Sequence, residues 1–311
     1  MTNVRRFLNF DPPAIAQLIN DCCEIEANVS TNLLEFAVFA KTYFSSDRFF
    51  VATLAEQPVG FVHLGSPATD CHETNTLTIS NFLVKDCDRS IASALLDHAR
   101  AFAQDLGFSK LRIGSTPDNA EYYNGISTHF LNVGIPSTQP ILPILYELGF
   151  QQVASWQCLQ FDPNDRQVPF SREQMELRRS HTLTQDADPD FDSIKLNSIY
   201  SHLATSQISL TNRSTGAIDA QLVYACLAQS YPDWPNGGID LLRYVSNSSF
   251  SPEHYEFLLC ETLRQLPSSG LSPLRIHIDS ADILALNTAL DVGFQPAITS
   301  VHVEFQLEQQ S

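Results

Sequence analysis

The chain repeats itself. Leu111-Arg112-Ile113 returns as Leu274-Arg275-Ile276, and Gly149-Phe150-Gln151 returns as Gly293-Phe294-Gln295. Behind each Gly-Phe-Gln comes a run that alternates as strands do, QVASWQCLQF in the first half and PAITSVHVEF in the second. Near the start of each half an apolar residue precedes two arginines, Val4-Arg5-Arg6 and Leu177-Arg178-Arg179. Four features in one order point to two tandem copies of one fold. A chain of 311 residues gives each copy the length of an average domain.

The elements within each copy follow the same plan. In the first, Val4–Phe10 reads as a strand, and Asp11-Pro12-Pro13 starts a helix with Asp11 as N-cap. RFFVATLAEQPVGFVHLG is two strands about a turn, and TLTISNFLV is a third. Ala92–Leu106 is a helix, with Ala92, Leu95, Leu96, Ala99 and Phe102 on one face. KLRIG is a strand, QPILPILYEL a helix and QVASWQCLQF the closing strand. In the second copy, ELRRSHT reads as the opening strand and QDADPDFD as a loop. PEHYEFLLCETLRQL and DILALNTALDV read as the later helices. The polar stretch 162–174 is the expected linker, between a first domain over 1–163 and a second over 175–311.

Charge and cysteine usage narrow the functions. The net charge is −17, and neither half is basic, which argues against a nucleic-acid groove and an anionic membrane surface. No apolar run reaches the roughly 18–20 residues of a membrane span. The seven cysteines include no Cys-x-x-Cys pair and no His/Cys cluster at zinc spacing. An odd, scattered count fits a reducing cytosol. The expectation is a cytoplasmic monomer or small homo-oligomer without metal or disulfide.

The element order, with FLV…RSIASALL and YELGF in the first copy and DILALNTALDVGF in the second, resembles the GCN5-related N-acetyltransferases (GNAT) over nearly the whole chain. The resemblance implies an α/β fold, of the mixed-sheet α+β kind, built as two tandem GNAT-like domains. It implies acetyl-CoA as acyl donor, entering where two central strands splay apart. The acceptor would be a small-molecule amine, a peptide N-terminus or a lysine.

In that family the strand-to-helix loop reads roughly Val-x-Pro-x-x-Arg-Gly-x-Gly-x-Gly/Ala-x-x-Leu-Leu, and the pyrophosphate lies on its inward N–H groups at the helix N-terminus. Here the corresponding stretch is FLVKDCDRSIASALLDHAR, residues 82–100, and it holds no glycine. Val84 to Ala94 spans ten residues where the family pattern has twelve. The resemblance places the pantetheine arm on Phe82, Leu83 and Val84, and the pyrophosphate on Arg89, Ser90, Ile91, Ala92 and Ser93. Asp86 and Asp88 oppose an anion there. The other reading is a helix start capped by Asp88 or Ser90 that binds nothing. The second copy is less suited: Pro252 has no N–H and Glu253 sets a carboxylate against a phosphate, so Ser251-Pro252-Glu253 reads as an ordinary capped helix.

Acetyl transfer to an amine needs a base, a donor to the thioester oxygen and an acid for the leaving thiolate. The family often supplies the acid from a tyrosine four residues before the Gly-Phe glycine. That position is Leu145 in the first copy and Ala289 in the second. The neighbouring Tyr146 is the candidate acid, or else a tyrosine packed on the sheet. His72 and Glu73 are candidate bases through water, or else surface-loop residues. Between the Leu-Arg-Ile and Gly-Phe-Gln repeats the first copy is 19 residues longer. The extra stretch, 115–138, carries Tyr122, Tyr123, Asn124, His129, Phe130 and Asn132. It reads either as a binding loop at the acceptor end of the cleft or as packing against the second copy. Two functions stay open: an acyl-CoA-dependent N-acetyltransferase using the first copy, and a catalytically degenerate tandem that binds a small molecule or partner.

Overall fold

The computed structural model describes residues 2–22, 29–65, 75–124, 126, 133–164, 167–191, 193–226, 238–246, 251–269 and 273–307. The first half runs β1 (Asn3–Arg6), α1 (Pro12–Cys22), α2 (Thr31–Leu34), β2 (Phe49–Leu54), β3 (Gln57–Leu64), β4 (Thr76–Val84), α3 (Arg89–Asp105), β5 (Lys110–Ile113), β6 (Ile135–Pro136), α4 (Ile141–Glu147) and β7 (Gln151–Phe161). The second runs α5 (Arg172–Ser180), β8 (His181–Ala187), α6 (Ile194–Tyr200), β9 (Ala204–Asn212), β10 (Ile218–Cys226), β11 (Ile239–Ser246), α7 (Pro252–Ser269), β12 (Leu274–Asp279), α8 (Ile283–Val292) and β13 (Gln295–Gln306). Among the described residues no helix is long and apolar enough to cross a membrane.

Both Leu-Arg-Ile repeats form equivalent strands. β5 lies parallel to β4, and β12 lies parallel to β11. Both Gly-Phe-Gln repeats end a helix and start a strand. Gly149 follows α4 at φ +92° and Gly293 follows α8 at φ +110°, a backbone region that suits glycine.

The Arg-Arg match is not part of the repeat. Val4-Arg5-Arg6 lies in β1, whereas Leu177-Arg178-Arg179 lies in the helix α5. The reason is local: Ser171 accepts from Gln174 N as N-cap, Glu173 sits in the first turn, and Arg178 and Arg179 sit in the last, each favourable to the helix dipole. The strand of the second half therefore starts at His181, and it runs to Ala187, into the stretch read as a loop. Asp11 also departs from its expected role. Its carboxylate turns back to Arg5 at 2.7 Å and to Leu8 N at 2.7 Å, rather than onto the α1 amides.

The halves do not close their sheets separately. One 13-stranded sheet runs β1-β2-β3-β4-β5-β13-β7-β12-β11-β10-β9-β8, with β6 beside β13. Each half sends its last strand across. β13 pairs antiparallel with β5 of the first half, and β7 pairs antiparallel with β12 of the second. The two crossed strands pair with each other along the seam, from Gln295↔Gln160 to Glu304↔Gln151.

Among the described residues, three apolar cores cover the sheet. One holds α3 and α4 against the first half, through Leu95, Leu96, Leu142 and Leu145. A second holds α7 and α8 against the other half, through Leu258, Leu259, Leu263 and Ala289. The third lies on the opposite face and is shared. It joins Ile15, Ile19, Leu33 and Phe61 of the first half to Leu196, Ile199, Val223 and Leu242 of the second. Apolar burial in this shared core, at about 25 cal/mol per Å² removed from water, holds the two halves together.

Candidate functional site

The central strands open at a bulge. β4 pairs with β5 only from Thr76↔Lys110 to Ile79↔Ile113. On its other edge, Ile79 faces Leu64 and Asn81 faces His63, so Ser80 is an extra residue in β4. From Asn81 to Val84 the strand keeps β3 as neighbour and has no pairing to β5. A strand edge thus opens where β5 stops. Ser80 Oγ is buried there with no hydrogen-bond partner among the described residues. The second half repeats the device. Tyr224 faces Leu241 and Val223 faces Arg243, which makes Leu242 the bulged residue, and β11 pairs with β12 only at Ile239 and Asp240. The register makes Ser246 the counterpart of Val84.

The helix beside the first opening begins with a capped turn. Asp88 Oδ1 accepts from Ser90 N at 2.7 Å, Ser90 Oγ at 2.6 Å and Ile91 N at 3.1 Å. The Ser90 hydroxyl, then the Ile91 and Ser90 amides, hold the Asp88 carboxyl below the usual carboxylate range. Arg89 Nε meets exposed Glu147 at 3.1 Å. Ile91 and Ala92 pack into the α3-side core with Val84, and Phe82 packs against it from its edge. Leu83 lies against the opposite, shared core. Ser93 is half-buried on α3. Asp86 and Cys87 adopt φ +53° and +50°, the left-handed region that L side chains seldom visit. The eight residues expected to meet an acyl-CoA therefore share one strand end and one helix start. The Ser90 and Ile91 amides, however, already have a partner.

Tyr146 is 40% exposed on α4, and its hydroxyl lies 3.5 Å from Gln152 Oε1 at the start of β7. Leu145, at the family's tyrosine position, is fully buried, as is Ala289 in the second half. His72 and Glu73 lie outside the described residues, as do His129, Phe130 and Asn132 of the insertion.

On the opposite face of the opening lies a buried polar group that the sequence did not single out. His63 Nδ1 lies 2.9 Å from Tyr123 Oη, and Tyr122 stacks on the imidazole with centroids 5.0 Å apart. His63 Nε2, Tyr122 Oη and Arg48 Nε are buried without partners among the described residues. Burial, then the Arg48 charge, pushes the imidazole down to about 3, so it is neutral near pH 7. Burial likewise raises both tyrosines. The sequence signal was one histidine inside the apolar strand VGFVHLG, a pattern that core histidines share. Its counterpart in the second half is Val223.

The described part of the insertion packs against the second half. Glu121 forms a buried ion pair with Lys195 of α6. Tyr200 Oη donates to Pro117 O at 2.8 Å, and Asp118 lies 3.8 Å from Arg243 of β11. Tyr122, Tyr123 and Leu242 share the third core, so the insertion lies against the second half's bulge. The start of α7 differs from that of α3. Ser251 Oγ accepts from His254 N at 3.3 Å and donates to Glu253 Oε2 at 3.1 Å, with Pro252 between them.

No protein-family model and no curated protein matches the sequence. Solved structures do resemble the fold. A tandem GNAT protein from the clavulanic acid biosynthesis pathway, solved without AcCoA, is 12% identical; the match covers 100% of both chains at a TM-score of 0.67. A GCN5-related N-acetyltransferase from Sphaerobacter thermophilus is 11% identical, covering 99% of this chain and 96% of that one, at 0.62. A putative acetyltransferase from Pyrococcus horikoshii is 11% identical, covering 100% and 91%, at 0.55. The chain thus has a tandem GNAT fold along its whole length.

Proposed function

We propose that this chain, with its tandem GNAT fold, binds acetyl-CoA in its first half and transfers the acetyl group to an amine. One observation carries the reading: β4 bulges at Ser80, loses β5 and presents an open backbone edge that leads into the N-terminus of α3. An open strand edge pairs with an amide-bearing arm such as pantetheine. A helix N-terminus receives the phosphates.

The residues present fit that group in part. The edge from Asn81 to Val84 and the orphaned Ser80 hydroxyl suit an extended polar arm. The first turn of α3 accepts phosphate oxygens once Asp88 swings off the Ser90 and Ile91 amides, and its exposed carboxylate is free to do so. Acetyl-CoA supplies a thioester that an amine can attack. The Ser80 bulge supplies backbone donors near the strand opening. Neutral His63, held by Tyr123, is too weak a base at its pushed-down pKa to take the amine proton alone; its work is to orient the polar group behind the opening. Tyr146 remains the candidate proton donor to the leaving thiolate. The net charge of −17 favours a cationic amine, free or on a peptide.

A second reading rests on the Asp88 cap. If that carboxylate keeps the amides, the chain is a non-catalytic tandem whose fold binds a different small molecule or a partner. Isothermal titration of acetyl-CoA and of CoA, followed by an acetyl-transfer assay with mixed amines, separates the two. Heat at one site per chain with thiol release upholds the enzyme. Heat without thiol release makes the first half a non-catalytic acetyl-CoA binder, and no heat ends the cofactor assignment and leaves the second reading.

A further inference from the structure

At the outer part of the second half, far in sequence from the opening just described, three side chains converge from three elements. His181 begins β8, Asp219 lies at the start of β10, and His254 lies in the first turn of α7. One ligand atom from each lies within 4.8 Å of the other two. His181 is buried, while Asp219 and His254 are half-buried, so the group is reachable from solvent.

The hydrogen bonds around His181 accommodate a tautomer with a free Nε2. Ser180 Oγ lies 2.9 Å from Glu176 O and 2.9 Å from His181 Nδ1. With the hydroxyl proton on Glu176 O, Oγ accepts from Nδ1. In the neutral ring that leaves Nε2 with a lone pair, and it faces Asp219 Oδ2 at 2.9 Å. With a proton on Nε2 this contact is an ordinary hydrogen bond; with that proton displaced, the nitrogen and the carboxylate oxygen offer two lone pairs to one shared cation. Asn212 Nδ2 approaches the same carboxylate oxygen at 3.4 Å and orients it. The nearby cation, Arg213, has its Nε on His181 O at 2.9 Å. The His181 and His254 rings meet edge-on with centroids 5.6 Å apart.

We infer that His181, Asp219 and His254 form a binding site for a divalent transition metal, with zinc the best fit to two imidazoles and one carboxylate. Zinc–nitrogen and zinc–oxygen bonds of about 2.0–2.2 Å set tetrahedral ligands roughly 3.3 Å apart, so a modest closure of His254 completes the set. Ser180 and Asn212 play the outer-shell role, fixing the ring tautomer and the carboxylate. Three protein ligands leave a fourth position open to water or a small anion. The helix dipole of α7 opposes a cation weakly there, and Asp219 and Glu253 offset it. The metal would clip β8 and β10 to α7. Magnesium, which demands oxygen ligands, does not suit the set.

The test uses the full, untagged chain after chelator treatment, with Zn2+ alone as titrant. One equivalent should bind, with a rise in the thermal midpoint that Mg2+ does not reproduce. Ser180→Ala should weaken binding by about 10–100-fold, the cost of an outer-shell partner. His254→Asn, at a half-buried position whose folding circular dichroism can verify, should weaken it further, and Asp219→Asn provides an independent second variant. If the parent binds no Zn2+, or if both His254→Asn and Asp219→Asn bind it as the parent does, the cluster is a hydrogen-bonded His–Asp pair and the assignment falls.

Discussion

At the start of α3, Asp88 closes its carboxylate over the Ser90 and Ile91 amides; at the start of α7, Ser251 caps the turn while Pro252 removes a donor and Glu253 adds a negative charge. The strands leading to these two turns share a bulge and a loss of pairing at equivalent positions. They differ in what can be displaced. A capping side chain can rotate away and expose two amides, whereas a proline cannot acquire an N–H. The first bulge also carries a hydroxyl, Ser80, whereas the second carries Leu242, packed in the shared core beside the insertion. The same scaffold thus keeps one opening polar and fills the other.

The comparison can be broken most severely by separating the halves. The exchange of β7 and β13 leaves a chain of residues 1–163 without its neighbour to β5 and with β7 unpaired to β12. Such a fragment should fail to fold as a monomer, showing no cooperative thermal transition, or should pair with a second copy. A monomer with native-like stability would contradict the exchanged sheet. Next comes the clamp. Lys195→Met removes the ammonium paired with buried Glu121 and should cost about 3–5 kcal/mol in denaturant unfolding, the usual loss when one partner of a buried pair is removed. A loss below about 1 kcal/mol would mean that the insertion is not held there.

Asp88→Ser keeps a cap but removes the charge from the mouth of the first opening. It should tighten acetyl-CoA by about tenfold, since hydrogen bonds to charged groups contribute roughly 1.5–3 kcal/mol each and the competing carboxylate is gone. Unchanged affinity would place the phosphates elsewhere.

An effect of similar size is expected in pH. Burial holds the folded-state His63 pKa at about 3, below its ordinary value near 6.5, so the unfolded chain takes up a proton that the folded chain refuses. Stability from this group is intact above about pH 6.5 and falls as the pH drops toward 3. Between pH 6.5 and 5 the loss should be about 1.5 kcal/mol, since the slope reaches 1.36 kcal/mol per unit only below pH 6.5. His63→Phe should flatten that slope in urea unfolding at the two pH values. An unaltered slope would show that His63 takes up its proton within the fold.

The repeats were legible because their physics is local. A short apolar strand and a left-handed glycine behind a helix leave the same mark in both halves. The helix α5 was misread because ELRRSHT holds one leucine among polar residues, and the cap that identifies it, Ser171, stands six residues before that leucine. The crossing of β7 and β13 was not legible, since an alternating strand does not name its partner. His63 and Tyr122 were hidden for the same reason as the His181, Asp219 and His254 cluster: each set is assembled from elements distant in sequence. The helix start at residues 89–93 could be located from sequence, but which of its amides are engaged depends on the Asp88 rotamer.

The central claim is that the opening in the first half, and not its counterpart in the second, receives acetyl-CoA. Isothermal titration of acetyl-CoA into the parent chain, Ser90→Asp and Glu253→Gln tests it most directly. The account predicts one modest-affinity site per chain, abolished in Ser90→Asp by a second carboxylate at the α3 turn and unchanged in Glu253→Gln. Binding that survives Ser90→Asp and is lost in Glu253→Gln would contradict it.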